Sequence, residues 1–119
     1  MSLNKVMLIG NAGQDPEVRY LEGSTSNTKV ATFRLATTDR YRDRNSGETR
    51  EQTEWHNIVA WSGKGMPDLS KIEKGIPLYV CGRLRSAKFT GNDGTEKQIY
   101  EVVASRIAFE DPSPMQCGL

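Results

Sequence analysis

The chain has 119 residues, 36% hydrophobic and 26% charged, with a formal net charge of +1. That length supports one domain with a modest core, and no apolar run approaches the ~18 residues of a membrane span. A near-neutral chain lacks the basic footprint usual in nucleic-acid binding, so any polyanion site has to be local. Met1–Lys5 lacks the longer apolar core of a signal peptide, so export is not expected. Cys81 and Cys117 are too few for a disulfide framework and suit a thiol-tolerant compartment.

Asn4 to Gly10 reads as a strand ended by the Gly-rich turn Asn11-Ala12-Gly13-Gln14, with a bend at Asp15-Pro16. The turn resembles a fragment of a phosphate loop but lacks the Gly-Lys-Ser/Thr ending and the following helix. Val18-Arg19-Tyr20 is extended and Glu22–Asn27 a polar loop. Lys29 to Thr38 alternates cleanly: Ala31, Phe33 and Leu35 form a core face, while Thr32 and Arg34 face the other way.

Asp39 to Gln52 is a polar hairpin loop turned at Asn45-Ser46-Gly47. It is either solvated and self-neutralised, or a mobile arm whose arginines reach phosphates and whose Tyr41 stacks on a base. Next comes Glu51 to Trp61, rich in strand formers and free of Gly and Pro. Period-two alternation puts Trp55, Asn57, Val59 and Trp61 on one side, and His56, Ile58 and Ala60 on the other. The only two tryptophans thus point the same way, roughly 20 Å apart along a strand. They are either core anchors or a platform for stacking planar groups; alternation alone does not choose.

Ser62–Met66 is too glycine-rich for a helix. Pro67 fits a first helical position, Asp68 to Lys74 then makes about two turns, and Gly75 caps them. Leu69 and Ile72 pack this helix over a barrel end. Pro77 to Thr90 is a long strand with Leu78, Val80 and Leu84 on one face and a bend or bulge point at Gly82. Without a bulge, Tyr79, Cys81, Arg83, Arg85, Ala87 and Phe89 share the other face. Gly91–Gly94 is a hairpin turn. Lys97 to Phe109 is the last strand, with Val102, Ala104 and Arg106 alternating against Val103, Ser105 and Ile107.

Five main strands with one short helix between the third and fourth make an all-β chain in the order of the OB-fold, a Greek-key barrel that binds oligonucleotides or oligosaccharides. Residues 1–110 form this domain and 111–119 a short C-terminal extension. The single histidine, two distant cysteines and scattered carboxylates offer no triad, metal quartet or nucleophile motif. An enzyme, a metal site and a cofactor are therefore not expected; a His56–Cys81 dyad would need tertiary coincidence.

Several runs carry a family resemblance: Asn4-Lys5-Val6 with Leu8-Ile9-Gly10-Asn11, Asp15-Pro16-Glu17-Val18-Arg19-Tyr20, Leu35-Ala36-Thr37-Thr38, and above all Glu51-Gln52-Thr53-Glu54-Trp55-His56. Gly82-Arg83-Leu84-Arg85 and Glu101-Val102-Val103 continue it. Together, over residues 4 to 109, they resemble the bacterial single-stranded DNA-binding proteins. The resemblance implies sequence-independent binding and protection of single-stranded DNA in replication, recombination and repair. Bases would stack on Tyr41, Trp55, Trp61 and Phe89. Arg40, Arg42, Lys64, Arg83, Arg85 and Lys88 are the candidates for phosphate contacts.

It further implies a homotetramer (a dimer is the alternative) with Lys5, Met7, Ile9, His56 and Tyr79 at subunit contacts, and a cytoplasmic, nucleoid-associated location. The sequence departs from the family at Ile76-Pro77, Cys81 and Ile107-Ala108-Phe109-Glu110, which touches the polar contacts between dimers. The family's Gly/Pro/Gln-rich tail with its acidic tip has no counterpart, so tail-mediated recruitment of replication and repair enzymes is expected to be absent or placed elsewhere. The rival on the same fold is a primosomal or accessory replication protein acting mainly through protein partners.

Overall fold

A computed structural model describes residues 1–14, 16–20, 29–63 and 66–109, with only the backbone described at residues 19 and 20. Six strands follow in order: β1 (Val6–Ala12), β2 (Glu17–Tyr20), β3 (Lys29–Arg42), β4 (Thr49–Trp61), β5 (Pro77–Thr90) and β6 (Glu96–Ala108). They make one sheet in the order β1-β5-β6-β4-β3-β2. Pairing of β1 with β3 at Asn11↔Ala36 and Ala12↔Leu35 closes five of the strands into a barrel. β2 lies outside that ring, on β3 through Glu17↔Thr32 to Tyr20↔Lys29. All pairings are antiparallel except β4 with β6.

The barrel is filled from alternate positions, as the period of a strand dictates. Ala31, Phe33 and Leu35 of β3, Ile58 and Ala60 of β4, Leu78 and Val80 of β5, and Val102 and Ala104 of β6 are all buried. Most of their neighbours in sequence face away from the core, though Val59 and Cys81 are themselves buried.

Asp39 to Gln52, expected as a loop, is mostly strand. β3 runs to Arg42 and β4 begins at Thr49, in unbroken register from Val30↔Trp61 to Arg42↔Thr49. Cross-strand pairs account for this. Arg40 Nε lies 3.0 Å from Glu51 Oε1, the Thr38 and Thr53 hydroxyls are 3.1 Å apart, and Arg50 Nε reaches Asp43 Oδ2 at 3.1 Å. The charges that suggested a solvated loop sit opposite their counterions and support a two-stranded ribbon.

The expected two-turn helix is a single 3-10 turn, Leu69–Lys71. Asp68 caps it, accepting from the Ser70 N–H and hydroxyl. Those two bonds hold its carboxyl below the usual range, the hydroxyl bond first. Ile72 then turns extended, at φ −73° and ψ 120°, and both Leu69 and Ile72 enter the core. Burial of each is worth ~1.5–3 kcal/mol, which outweighs one more helical turn in so short a segment. Packing of Leu69 and Ile72 against the core is as expected. Gly75 does not cap that turn; its N–H donates to the Ala12 carbonyl at 2.7 Å.

The bulge expected near Gly82 is present. The register steps from Cys81↔Arg106 to Gly82↔Ala104, so Ser105 is the extra residue, its hydroxyl donating to the Cys81 carbonyl at 3.1 Å. This corrects the simple alternation expected of the last strand, because Ile107 joins Val102 and Ala104 in the core. A Cβ on Gly82 would stand 2.2 Å from the Val103 carbonyl oxygen, a backbone atom that cannot swing away. Cys81 is buried.

The polar loop at Glu22–Asn27, the bend residue Asp15, and the extension at 111–119 lie outside the described residues. No helix among the described residues is long and apolar enough to cross a membrane.

Gly82→Ala should cost about 1–3 kcal/mol of stability, the usual range for forced overpacking, read as a lower midpoint in urea unfolding.

Candidate nucleic-acid interface

Strand register decides which residues share the outer face. In β4, Trp55, Asn57, Val59 and Trp61 alternate with core residues, and the two indoles are 47% and 41% exposed. Across the ladder to β3, Ala36 pairs with Trp55, Arg34 with Asn57 and Thr32 with Val59. On the other side, Val59 pairs with Val103, which pairs with Arg83, while Glu101 pairs with Arg85. The outer face therefore collects Trp55, Trp61, Arg34, Arg83 and Arg85, and by the same alternation Phe89 on the β5–β6 ribbon. Phe89 is exposed.

Trp55 is held from two sides. A Cβ on Gly13 would fall 2.2 Å from its Cζ3, so the indole sits directly on the Gly13 backbone. The Arg34 guanidinium carbon lies 4.8 Å from the ring centroid, a cation–π contact worth ~0.5–1 kcal/mol at an exposed site. The Gly13 N–H donates to the Arg34 carbonyl at 2.8 Å. The turn that resembled part of a phosphate loop is thus a seat for an indole.

Between the indoles lies a shallow cleft of about 330 Å³, lined among others by Gln14, Arg34, Asn57, Ile99 and Glu101. Asn57 Nδ2 donates to the Tyr100 carbonyl at 3.3 Å. Glu101 Oε1 accepts from Arg85 Nε at 3.0 Å and Nη2 at 2.5 Å.

The other sequence candidates divide. Arg40 and Arg42 share the Trp55 face of the β3–β4 ribbon, with Arg40 paired to Glu51. Tyr41 pairs with Arg50 and by alternation lies on the opposite face of that ribbon, with Thr37 and His56. Lys88 pairs with Gln98 and lies opposite Phe89 on the β5–β6 ribbon. Lys64 is outside the described residues. Arg34 was missed as a candidate, although its outward position was legible from alternation; its place over Trp55 needs the ladder. His56 Nε2 is hydrogen-bonded to Thr37 Oγ1 at 2.8 Å. Met7 and Ile9 of β1 are 52% and 57% exposed, opposite Cys81 and Tyr79. Among the described residues no group of His, Cys, Asp and Glu could hold a metal ion.

The model of the single-strand binding protein family matches residues 3–110. The chain belongs to this family. Among curated proteins, the single-stranded DNA-binding proteins of Neisseria meningitidis serogroups A and B are each 42% identical over 107 residues, 90% of this chain and 59% of theirs. The chain thus spans well under two thirds of the length of these relatives. Among solved structures, Plasmodium falciparum SSB in complex with ssDNA superposes with a TM-score of 0.74 at 38% identity, covering 93% of this chain and 97% of that one. A deletion mutant of the single-stranded DNA binding protein from Thermus aquaticus gives 0.68 at 29% identity, covering 92% of this chain and 51% of that one. The OB-fold barrel is common to this family, and the accessory-replication alternative gains no support from relatives that carry the single-stranded DNA-binding name.

Gly13→Ala should push the Trp55 indole off its seat. Tryptophan emission is the measurement, expected to shift to the red as the ring gains water.

Proposed function

We propose that this chain binds single-stranded DNA without regard to sequence, by stacking bases on exposed aromatic rings along the outer face of the barrel. The observation that carries the reading is the pair of exposed indoles, Trp55 and Trp61, on one face with Arg34, Arg83 and Arg85. Unpaired bases of every kind present a π-face, so aromatic stacking holds a strand at ~1–3 kcal/mol per base. Arginines add phosphate neutralisation and release of counterions. A duplex hides its base faces, so the same surface disfavours it. Nothing in this scheme calls for a catalytic group, and the chain acts by binding alone.

Trp55, Trp61 and Phe89 are the stacking positions that the shared face supports, with Arg34, Arg40, Arg42, Arg83 and Arg85 as cations along it. Tyr41 enters only if the strand wraps over the edge of the β3–β4 ribbon. Lys88 would likewise meet a strand passing behind Phe89. The replication, recombination and repair setting, and a nucleoid-associated place in the cytoplasm, belong to the same proposal.

Assembly is proposed as a homotetramer, with a dimer as its half. Met7 and Ile9 present apolar side chains from β1 beside Lys5 and Tyr79, and His56 stands on the ribbon face away from the indoles. Residues 1–110 would be the binding unit and 111–119 an extension.

Titration with oligo-dT should quench tryptophan emission strongly, and Trp55→Ala and Trp61→Ala should each weaken binding by about 1–3 kcal/mol. Unchanged emission, or equal affinity for duplex of the same length, would refute the reading. Ile9→Asp should lower the mass measured in solution from four chains towards two or one, and a retained tetramer would remove β1 from the subunit contact.

A further inference from the structure

Arg34 differs from Arg40 and Arg85 in what its guanidinium meets. Arg40 is paired with Glu51 and Arg85 with Glu101, but among the described residues no carboxylate pairs with Arg34. Its guanidinium carbon stands instead over the Trp55 ring, 4.8 Å from the centroid. The β3–β4 ladder produces this meeting. Arg34 pairs with Asn57 and Ala36 with Trp55, so Arg34 is the diagonal neighbour of the indole on one face, within reach of a long side chain.

The ring has a second fixed boundary. A Cβ on Gly13 would come 2.2 Å from Cζ3, 2.9 Å from Cη2 and 3.2 Å from Cε3, three consecutive atoms on the rim of the six-membered ring. Gly13 also donates its N–H to the Arg34 carbonyl at 2.8 Å. The backbone that seats the rim and the side chain that covers the face therefore belong to two hydrogen-bonded residues. With one face under a cation and the rim on backbone, Trp55 is still 47% exposed. That exposure falls to the remaining face.

Two consequences follow for a bound strand. A base must lie flat on a ring to stack, so a guanidinium over one face directs bases to the other. The planar, weakly hydrated guanidinium is suited to this place, where a compact lysine ammonium would keep its water. An exposed aromatic side chain also turns among rotamers until something stops it, and binding then carries the cost of ordering it. Held by Arg34 and Gly13, the indole is ordered before a strand arrives.

We propose that Arg34 is a positioning residue. It caps one face of the Trp55 indole, orders the ring in advance and confines base stacking to the uncapped face, without itself neutralising a phosphate. The proposal rests on the reading of the outer face as a single-strand site and deepens it at one stacking position.

The test uses the full chain carrying Arg34→Ala, alone and combined with Trp55→Ala, titrated with oligo-dT over a range of salt. Arg34→Ala should weaken binding about two- to fivefold, the equivalent of an exposed cation–π contact, and leave the dependence of log K on log salt unchanged. In the Trp55→Ala background the same substitution should have no further effect, because the ring it acts on is gone. A second measurement needs no ligand. With Trp61→Phe leaving Trp55 as the only tryptophan, time-resolved emission anisotropy should show faster local motion of the indole once Arg34 is replaced by alanine. A salt slope flatter by about 0.7, as for one lost phosphate contact, or an equal loss with and without Trp55, would make Arg34 a phosphate ligand and overturn the inference. Unchanged affinity or unchanged anisotropy would overturn it as well, and base stacking would stand. Failure of the wild type to bind oligo-dT at all is a separate result, which defeats the single-strand reading and this proposal with it.

Discussion

The unbroken ladder between β3 and β4 is the constraint from which the rest of the site follows. Because side chains alternate at period two, one register places Phe33, Leu35, Ile58 and Ala60 in the core and simultaneously holds Arg34, Trp55, Asn57 and Trp61 outside. A slip of one residue would bury the indoles and expose the core set. The stability of the barrel and the exposure of the aromatic face are thus the same physical fact. Closure through Asn11↔Ala36 then brings Gly13 under the Trp55 ring.

Electrostatics on this face is local, not global. A chain with net charge +1 has no field with which to draw a polyanion from afar. Instead, outward positions of β3 and β5 place Arg34, Arg83 and Arg85 on the face that carries the indoles. Arg85 is shared with Glu101, and Arg40 with Glu51. An exposed pair such as the latter contributes ~0–1 kcal/mol. These pairs keep the arginines ordered along the face.

Much of the fold was legible in sequence because its signals are local. Alternation in Lys29–Thr38 named the core face of that strand, and alternation in Glu51–Trp61 put the two indoles on a common face without saying which face is outward. Gly82 marked a bulge because a strand glycine often permits close backbone approach. The loop reading of Asp39–Gln52 failed because composition registers how many charges a segment carries, not which charge lies opposite which. The helix reading of Asp68–Lys74 failed because burial of Leu69 and Ile72 won over local propensity.

The sequence by itself determined the barrel class, the core face of Lys29–Thr38, and the common direction of Trp55 and Trp61, since these depend on the order of elements and on spacing within a strand. Tertiary structure alone decided what those residues meet. Trp55 resting on Gly13 under Arg34, and Ile107 returned to the core by the extra residue at Ser105, each depend on which residues lie opposite one another across paired strands. Pairing register between such strands is set by closure of the barrel around its core, and no local pattern carries that information.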